Sequence, residues 1–143
     1  MIRGRRGVLR SIGAATAALA SVLVLLGCSP GITAITVEQL TTPPGMAHAG
    51  NDRMTLAEGT GIGIKILAFT QDPTSRDSNG NLPSPVDPST IKITSDNDAI
   101  ARVFHVDGAT YIVTGTAPGT TKLIVNSAVT HGFVELPVQV TAQ

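Results

Sequence analysis

Apolar and polar residues alternate with a period of two along most of the chain beyond residue 30, the signature of half-buried β-strands. Ile35 and Val37 alternate with Thr36 and Glu38. Ile62, Ile64 and Ile66 recur at every second position with Lys65 among them, before Leu67 and Phe69. Ile91 and Ile93 alternate with Lys92 and Thr94. A stretch holding Ile100 and Val103 ends near Val106, before Asp107-Gly108. Tyr111 to Val113 and then Leu123 to Val125 follow, with Pro118-Gly119 between them. The cleanest alternation is the last, where Val134, Leu136, Val138 and Val140 face away from Glu135, Pro137, Gln139 and Thr141. Pro137 has no N–H for a ladder, so it predicts an edge strand or a bulge there. Thr, Val and Ile dominate these runs, as pleated surfaces favour, and Gly, Pro, Asn and Asp punctuate them. No segment of this region has the 3.6-residue spacing of a long amphipathic helix. The pattern predicts an all-β, antiparallel sandwich of about seven strands.

The first 28 residues are built differently. Arg3, Arg5, Arg6 and Arg10 make a basic start, and Ser11 to Leu26 form an apolar run of about 16 residues, shorter than the roughly 20 needed to span a bilayer. The run ends in Leu25-Leu26-Gly27-Cys28, which resembles the bacterial lipobox. That resemblance implies cleavage between Gly27 and Cys28, diacylglycerol on the Cys28 thiol, and a lipid-anchored N-terminus; a transmembrane anchor is the alternative. Ser29 after the cysteine resembles the pattern sent to the outer membrane in Gram-negative cells. Gly4-Arg5-Arg6-Gly7-Val8-Leu9-Arg10 also resembles a twin-arginine export motif, with Gly4 and Val8 where Ser/Thr and Phe are usual. Arg5 and Arg6 thus carry an export signal of either the twin-arginine or the ordinary secretory type. The expected organisation is a signal peptide over 1–27, a lipidated tether over 28–50 and a sandwich over 51–143, with the first strand beginning as early as residue 34.

Further stretches carry a fold-family resemblance. Ile91-Lys92-Ile93-Thr94-Ser95-Asp96-Asn97-Asp98-Ala99-Ile100-Ala101-Arg102-Val103 is similar to a turn-and-strand segment of the bacterial Ig-like domains of group 2. Val113-Thr114-Gly115-Thr116-Ala117-Pro118-Gly119-Thr120-Thr121-Lys122-Leu123-Ile124-Val125 resembles that group's best-marked stretch, and Met54 to Thr60 resembles its opening turn. The group often has Trp where Ile93 stands. The long Asp72 to Pro88 loop, with Asp77-Ser78-Asn79-Gly80-Asn81-Leu82-Pro83, looks more like the invasin-type group 1 domains. The resemblance implies an Ig-like sandwich over residues 34 to 141 and leaves the subgroup open.

Composition narrows the function. A leader of 27 residues leaves 116, one domain's worth. The overall formal charge is zero, but four arginines lie in the leader, leaving six Lys/Arg against ten Asp/Glu. The remaining cations are scattered, so a nucleic-acid partner is not expected. Cys28 is the only cysteine, which excludes an internal disulfide and the Cys…Trp…Cys framework of antibody domains.

His48, His105 and His131 are far apart in sequence and have no metal-ligand spacing, so each is expected at the surface. Gly59-Thr60-Gly61-Ile62-Gly63 leads into a strand and reads as a turn, because a phosphate cradle needs a helix N-terminus. Asp72, Asp77, Asn79 and Asn81 supply oxygen ligands in a pattern resembling the start of a calcium loop. Leu82 stands where such a loop needs Gly and no Glu closes it, so a solvated loop is the stronger expectation. No cofactor, metal or catalytic set is expected. Four aromatic residues and no Trp make sugar stacking a weak prospect. The expected function is a non-enzymatic, lipid-anchored envelope module for spacing, adhesion or accessory assembly, with the membrane as its first partner. The alternative is a glycan- or protein-binding domain using the 72–88 loop, which exposed, clustered Tyr111 and Phe133 would favour.

Overall fold

The computed structural model describes residues 30–43 and 45–143. Among these residues nine strands form two sheets: β1 (Ala34–Gln39), β2 (Ala47–Ala49), β3 (Met54–Ala57), β4 (Gly61–Phe69), β5 (Ile91–Ser95), β6 (Ala101–Asp107), β7 (Thr110–Gly115), β8 (Gly119–Ser127) and β9 (Phe133–Thr141). One sheet has the order β1-β4-β7-β6, the other β2-β3-β9-β8-β5. The alternation read from the sequence decides which side chains meet between them. Ile62, Ile64, Ile66 and Ala68 of β4 point inward and are almost fully buried, as are Leu136, Val138 and Val140 of β9. Met54, Leu56, Val113, Leu123 and Val125 join the same core. Burial of apolar area at about 25 cal/mol per Å² is what holds the two sheets together.

The fold is the all-β sandwich that the pattern predicts, with two differences. Nine strands stand where about seven are expected, because β2 and β3 lie within Ala47–Ala57. Moreover, β3 pairs with β9 in parallel, Met54 opposite Val138 and Leu56 opposite Val140, while every other pair is antiparallel. The first strand begins at Ala34, the earliest start expected, and the segment from there on is stitched to the sandwich. Leu40 N–H donates to Gly63 O at 2.8 Å, Gly63 N–H to Thr41 Oγ1 at 2.7 Å, and Val37 N–H to Asn51 Oδ1 at 2.6 Å.

Pro137 corrects another expectation. It lies on neither an edge strand nor a bulge, since β9 is interior, between β3 and β8. The parallel register with β3 begins at Val138, one residue later, so β3 asks nothing of position 137. The strand behaves as an edge at that single residue, which is all a proline needs.

Candidate functional site

The long connection between β4 and β5 is organised by its own aspartates. Asp72 Oδ1 accepts from Thr74 N–H at 2.8 Å and Thr74 Oγ1 at 2.7 Å. Asp77 Oδ1 accepts from the N–H groups of Asn79 and Asn81, each at 2.8 Å, and its Oδ2 accepts from Asn81 Nδ2 at 3.3 Å. Asp87 caps a single 3-10 turn over Pro88–Thr90, accepting from Ser89 N–H at 2.9 Å. Each carboxyl is held below the usual carboxylate range: Asp72 by the Thr74 hydroxyl first, Asp77 by Asn81 N–H, Asp87 by Ser89 N–H. These bonds stabilise the ionised form. Asp72, Asp77, Asn79 and Asn81 therefore spend donors and acceptors on turns within the loop. Among the described residues no group of three or more His, Cys, Asp or Glu side chains is placed to hold a metal ion.

The three histidines are exposed and apart. His48 lies on β2, inside the segment expected as a tether. His131 is in the β8–β9 turn. His105 has its ring 5.0 Å from that of Tyr111 and its Nε2 2.9 Å from Gly108 O. Tyr111 is buried, and burial pushes its phenol above the usual value. Phe133 is 58% exposed, but on the outer face of the other sheet, opposite Asn126. The two aromatic side chains do not cluster. Gly59, at φ +76°, makes the β3–β4 turn expected of the Gly-rich stretch. Cys28, Gly27, Arg5 and Arg6 lie outside the described residues, and no helix among the described residues is long and apolar enough to cross a membrane.

What the sequence did not announce is a polarity of the whole sandwich. Ile32 N–H donates to His131 O at 2.8 Å, and a Cβ on Gly31 would come within 2.6 Å of that oxygen. Thr33 N–H donates to Phe69 O, and Val86 N–H to Ala68 O. The Pro30 end, the β8–β9 turn and the 72–87 loop thus share one pole. At the other pole Glu58 N–H donates to Thr141 O and Gly59 N–H to Gly115 O. An open, largely apolar hollow lies there, lined by Gly45, Met46, Ala57, Thr141, Ala142 and Gln143. Among the described residues no acidic, basic or thiol side chain lines it. Strand β9 runs from one pole to the other, nine residues or about 30 Å of extended chain.

No protein-family model matches the chain, and no curated protein does. Among solved structures it is similar to domains 4 and 5 of the S-layer protein SbsC, at 22% identity and a TM-score of 0.47, over 71% of this chain and 54% of that one. The chain thus spans about half of that structure's length. A longer S-layer chain, rSbsC(31-844), gives 18% identity and a TM-score of 0.44 over 82% of this chain and 21% of its own. A chimeric titin Z1Z2 gives 10% identity and a TM-score of 0.33, over 78% of this chain and all of that one. Likenesses this distant carry no functional argument. The class rests on the two sheets themselves, an all-β sandwich.

Proposed function

We propose that the chain is a non-enzymatic, lipid-anchored, Ig-like module of the bacterial cell envelope, a spacer, adhesion element or accessory subunit held by acylated Cys28. In a Gram-negative cell the membrane would be the outer one. The observation that carries this reading is the polarity of the sandwich. Pro30, two residues beyond Cys28, starts at one pole, and the chain's last strand ends at the other. A domain tethered so close to its first hydrogen bond stands its far pole away from the membrane, which suits a spacer or a presenting surface.

The enzyme alternative would need a nucleophile or an acid–base pair converging in a hollow, and the hollow at the far pole gathers neither among the described residues. The ligand-binding alternative rests on the 72–88 loop with Tyr111 and Phe133 beside it. With Tyr111 buried and Phe133 on the opposite sheet, that reading loses its aromatic platform. The loop would also face the anchoring membrane.

The test is metabolic labelling with a palmitate analogue, comparing wild type with Cys28→Ala, followed by membrane fractionation. Label on the wild type alone, with the variant leaving the membrane fraction, is the expected result. An unlabelled wild type in the soluble fraction would overturn the anchor.

A further inference from the structure

The four edge strands of the sandwich are not treated alike. On β1 the Val37 N–H is taken by Asn51 Oδ1 at 2.6 Å, and on β2 the Ala49 N–H by Gln39 Oε1 at 3.1 Å. Side chains thus blunt both edges on that flank, a standard defence against unwanted pairing. Strand β5 is short and carries Lys92 on its outward set. Among the described residues strand β6 has no such cover over its central residues.

Its ladder shows which groups are free. Gly115 exchanges bonds with the β4 side, donating to Thr60 O and accepting from Gly59 N–H, while Thr116 donates to Ile100 O on the β6 side. Alternation along an antiparallel ladder then turns the main-chain groups of Arg102 and Phe104 toward β7. Those of Val103 and His105 point off the sheet, and among the described residues they have no partner. Ala101 N–H is already given to Asn97 O, and a bulge between His105 and Asp107 ends the regular stretch. The open window is Val103 to His105.

That window is flanked by apolar side chains where a solvated edge should be polar. Phe104 is 51% exposed and Ile112, its register partner on β7, is 41% exposed on the same outer face. We propose that β6 pairs with β6 of a second copy of this chain, antiparallel, about a two-fold axis through Phe104. Self-complementarity of the edge points to a second copy. In this register Val103 of each copy lies opposite His105 of the other, so both free residues exchange N–H···O bonds in both directions. Phe104 meets its own symmetry mate as a non-hydrogen-bonded pair, the closer kind, with Cα atoms about 4.5 Å apart. The two rings and the two Ile112 side chains then form one strip across a sheet continuous through both copies. Arg102 falls opposite Val106, so no like charges face each other. Registers centred on Val103 or on His105 each lose a free partner, to Ala101's existing bond or to the bulge. The contact is isologous and closes at two copies. It is also small, well under the roughly 1,200 Å² of a stable interface, so the dimer is weak and concentration-dependent.

The experiment is disulfide trapping of the full chain, purified in mild detergent and taken from micromolar to millimolar concentration, with copper–phenanthroline as oxidant. Phe104→Cys places two thiols at a Cα separation that a disulfide accepts. It should give a dimer band well above that of wild type, whose Cys28 has no free thiol once acylated, and above Gln139→Cys on the outer face of the other sheet. Adding Val103→Pro removes a donor that the domain itself does not use, and should return the band to background while the far-UV spectrum stays that of a folded sheet. His105→Pro removes the other free donor and serves if Val103→Pro disturbs folding. A Phe104→Cys band no stronger than Gln139→Cys, or one that survives both prolines in folded protein, overturns the pairing.

Discussion

Tyr111 joins a well-packed ring to an ill-served hydroxyl. The residue is 2% exposed and packs in the core, yet its oxygen is buried with no partner among the described residues. A buried polar group left unpaired costs more than its absence. Tyr111→Phe should therefore leave stability unchanged or raise it by up to about 1 kcal/mol, whereas Tyr111→Ala should lose about 3–5 kcal/mol through the cavity. Urea midpoints at constant slope measure both. A Phe variant clearly less stable than wild type would mean the hydroxyl has a partner after all. Gly115 is the complementary case, a residue needed for what it lacks. A Cβ there would sit 2.9 Å from Ala57 O and 3.0 Å from Val140 Cγ1, where β7 passes the end of β3. Gly115→Ala should cost about 1–3 kcal/mol by overpacking, read from the same unfolding curves.

At the scale of elements, the 72–87 connection is held by three carboxylates alongside main-chain bonds and the Arg76 Nη1 bond to Gly80 O, so part of its order should depend on pH. Asp72, Asp77 and Asp87 all have depressed values in the folded chain. A depressed carboxyl stabilises above its unfolded value, about 3.9, and that contribution fades as pH falls through the lower folded value. Amide exchange at Thr74, Asn79, Asn81 and Ser89 should accelerate below about pH 4 while core amides of β4 and β9 hold. Asp77→Ala should produce the same loosening around Asn79 and Asn81 at neutral pH. Exchange unchanged by acid or by that substitution would mean that other contacts hold the loop.

Of this connection the solvated loop was legible, written in a few consecutive residues such as Asp77-Ser78-Asn79-Gly80, whereas the aspartate-capped turns at Asp72 and Asp87 were not read from the sequence. Strands β4 and β9 were legible for a similar reason, as large side chains alternating over nine positions each. Strand β2 was not, since Ala47 and Ala49 are too small to stand out against His48. Met54 and Leu56 do alternate with Thr55, but over only four residues beside a glycine-rich turn. The parallel pairing of β3 with β9 joins residues more than 80 positions apart, and no local pattern encodes such a partner.

For the whole molecule, polarity makes the anchoring proposal geometrically specific. If Cys28 is acylated, Pro30 sits at the membrane, and the Ile32–His131 bond brings the β8–β9 turn down with it. The β3–β4 turn at Glu58 then stands about 30 Å farther out, one length of β9. Acylation also consumes the only native thiol, so a cysteine introduced elsewhere is the sole free one in the mature chain. Val129→Cys, at an exposed bend, and Glu58→Cys, at a half-buried turn position, can each be labelled with a fluorophore in membrane-bound protein. A quencher confined to lipid headgroups should dim the label at 129 and spare the one at 58. Gly31→Ala supplies the control on the mechanism. Its new methyl group would collide with His131 O, freeing the N-terminal segment from the turn, so the difference between the two labels should shrink while acylation persists. Equal quenching at 129 and 58 in the wild type would mean that the sandwich lies along the membrane, and a role as an upright spacer would then fail even with the lipid in place.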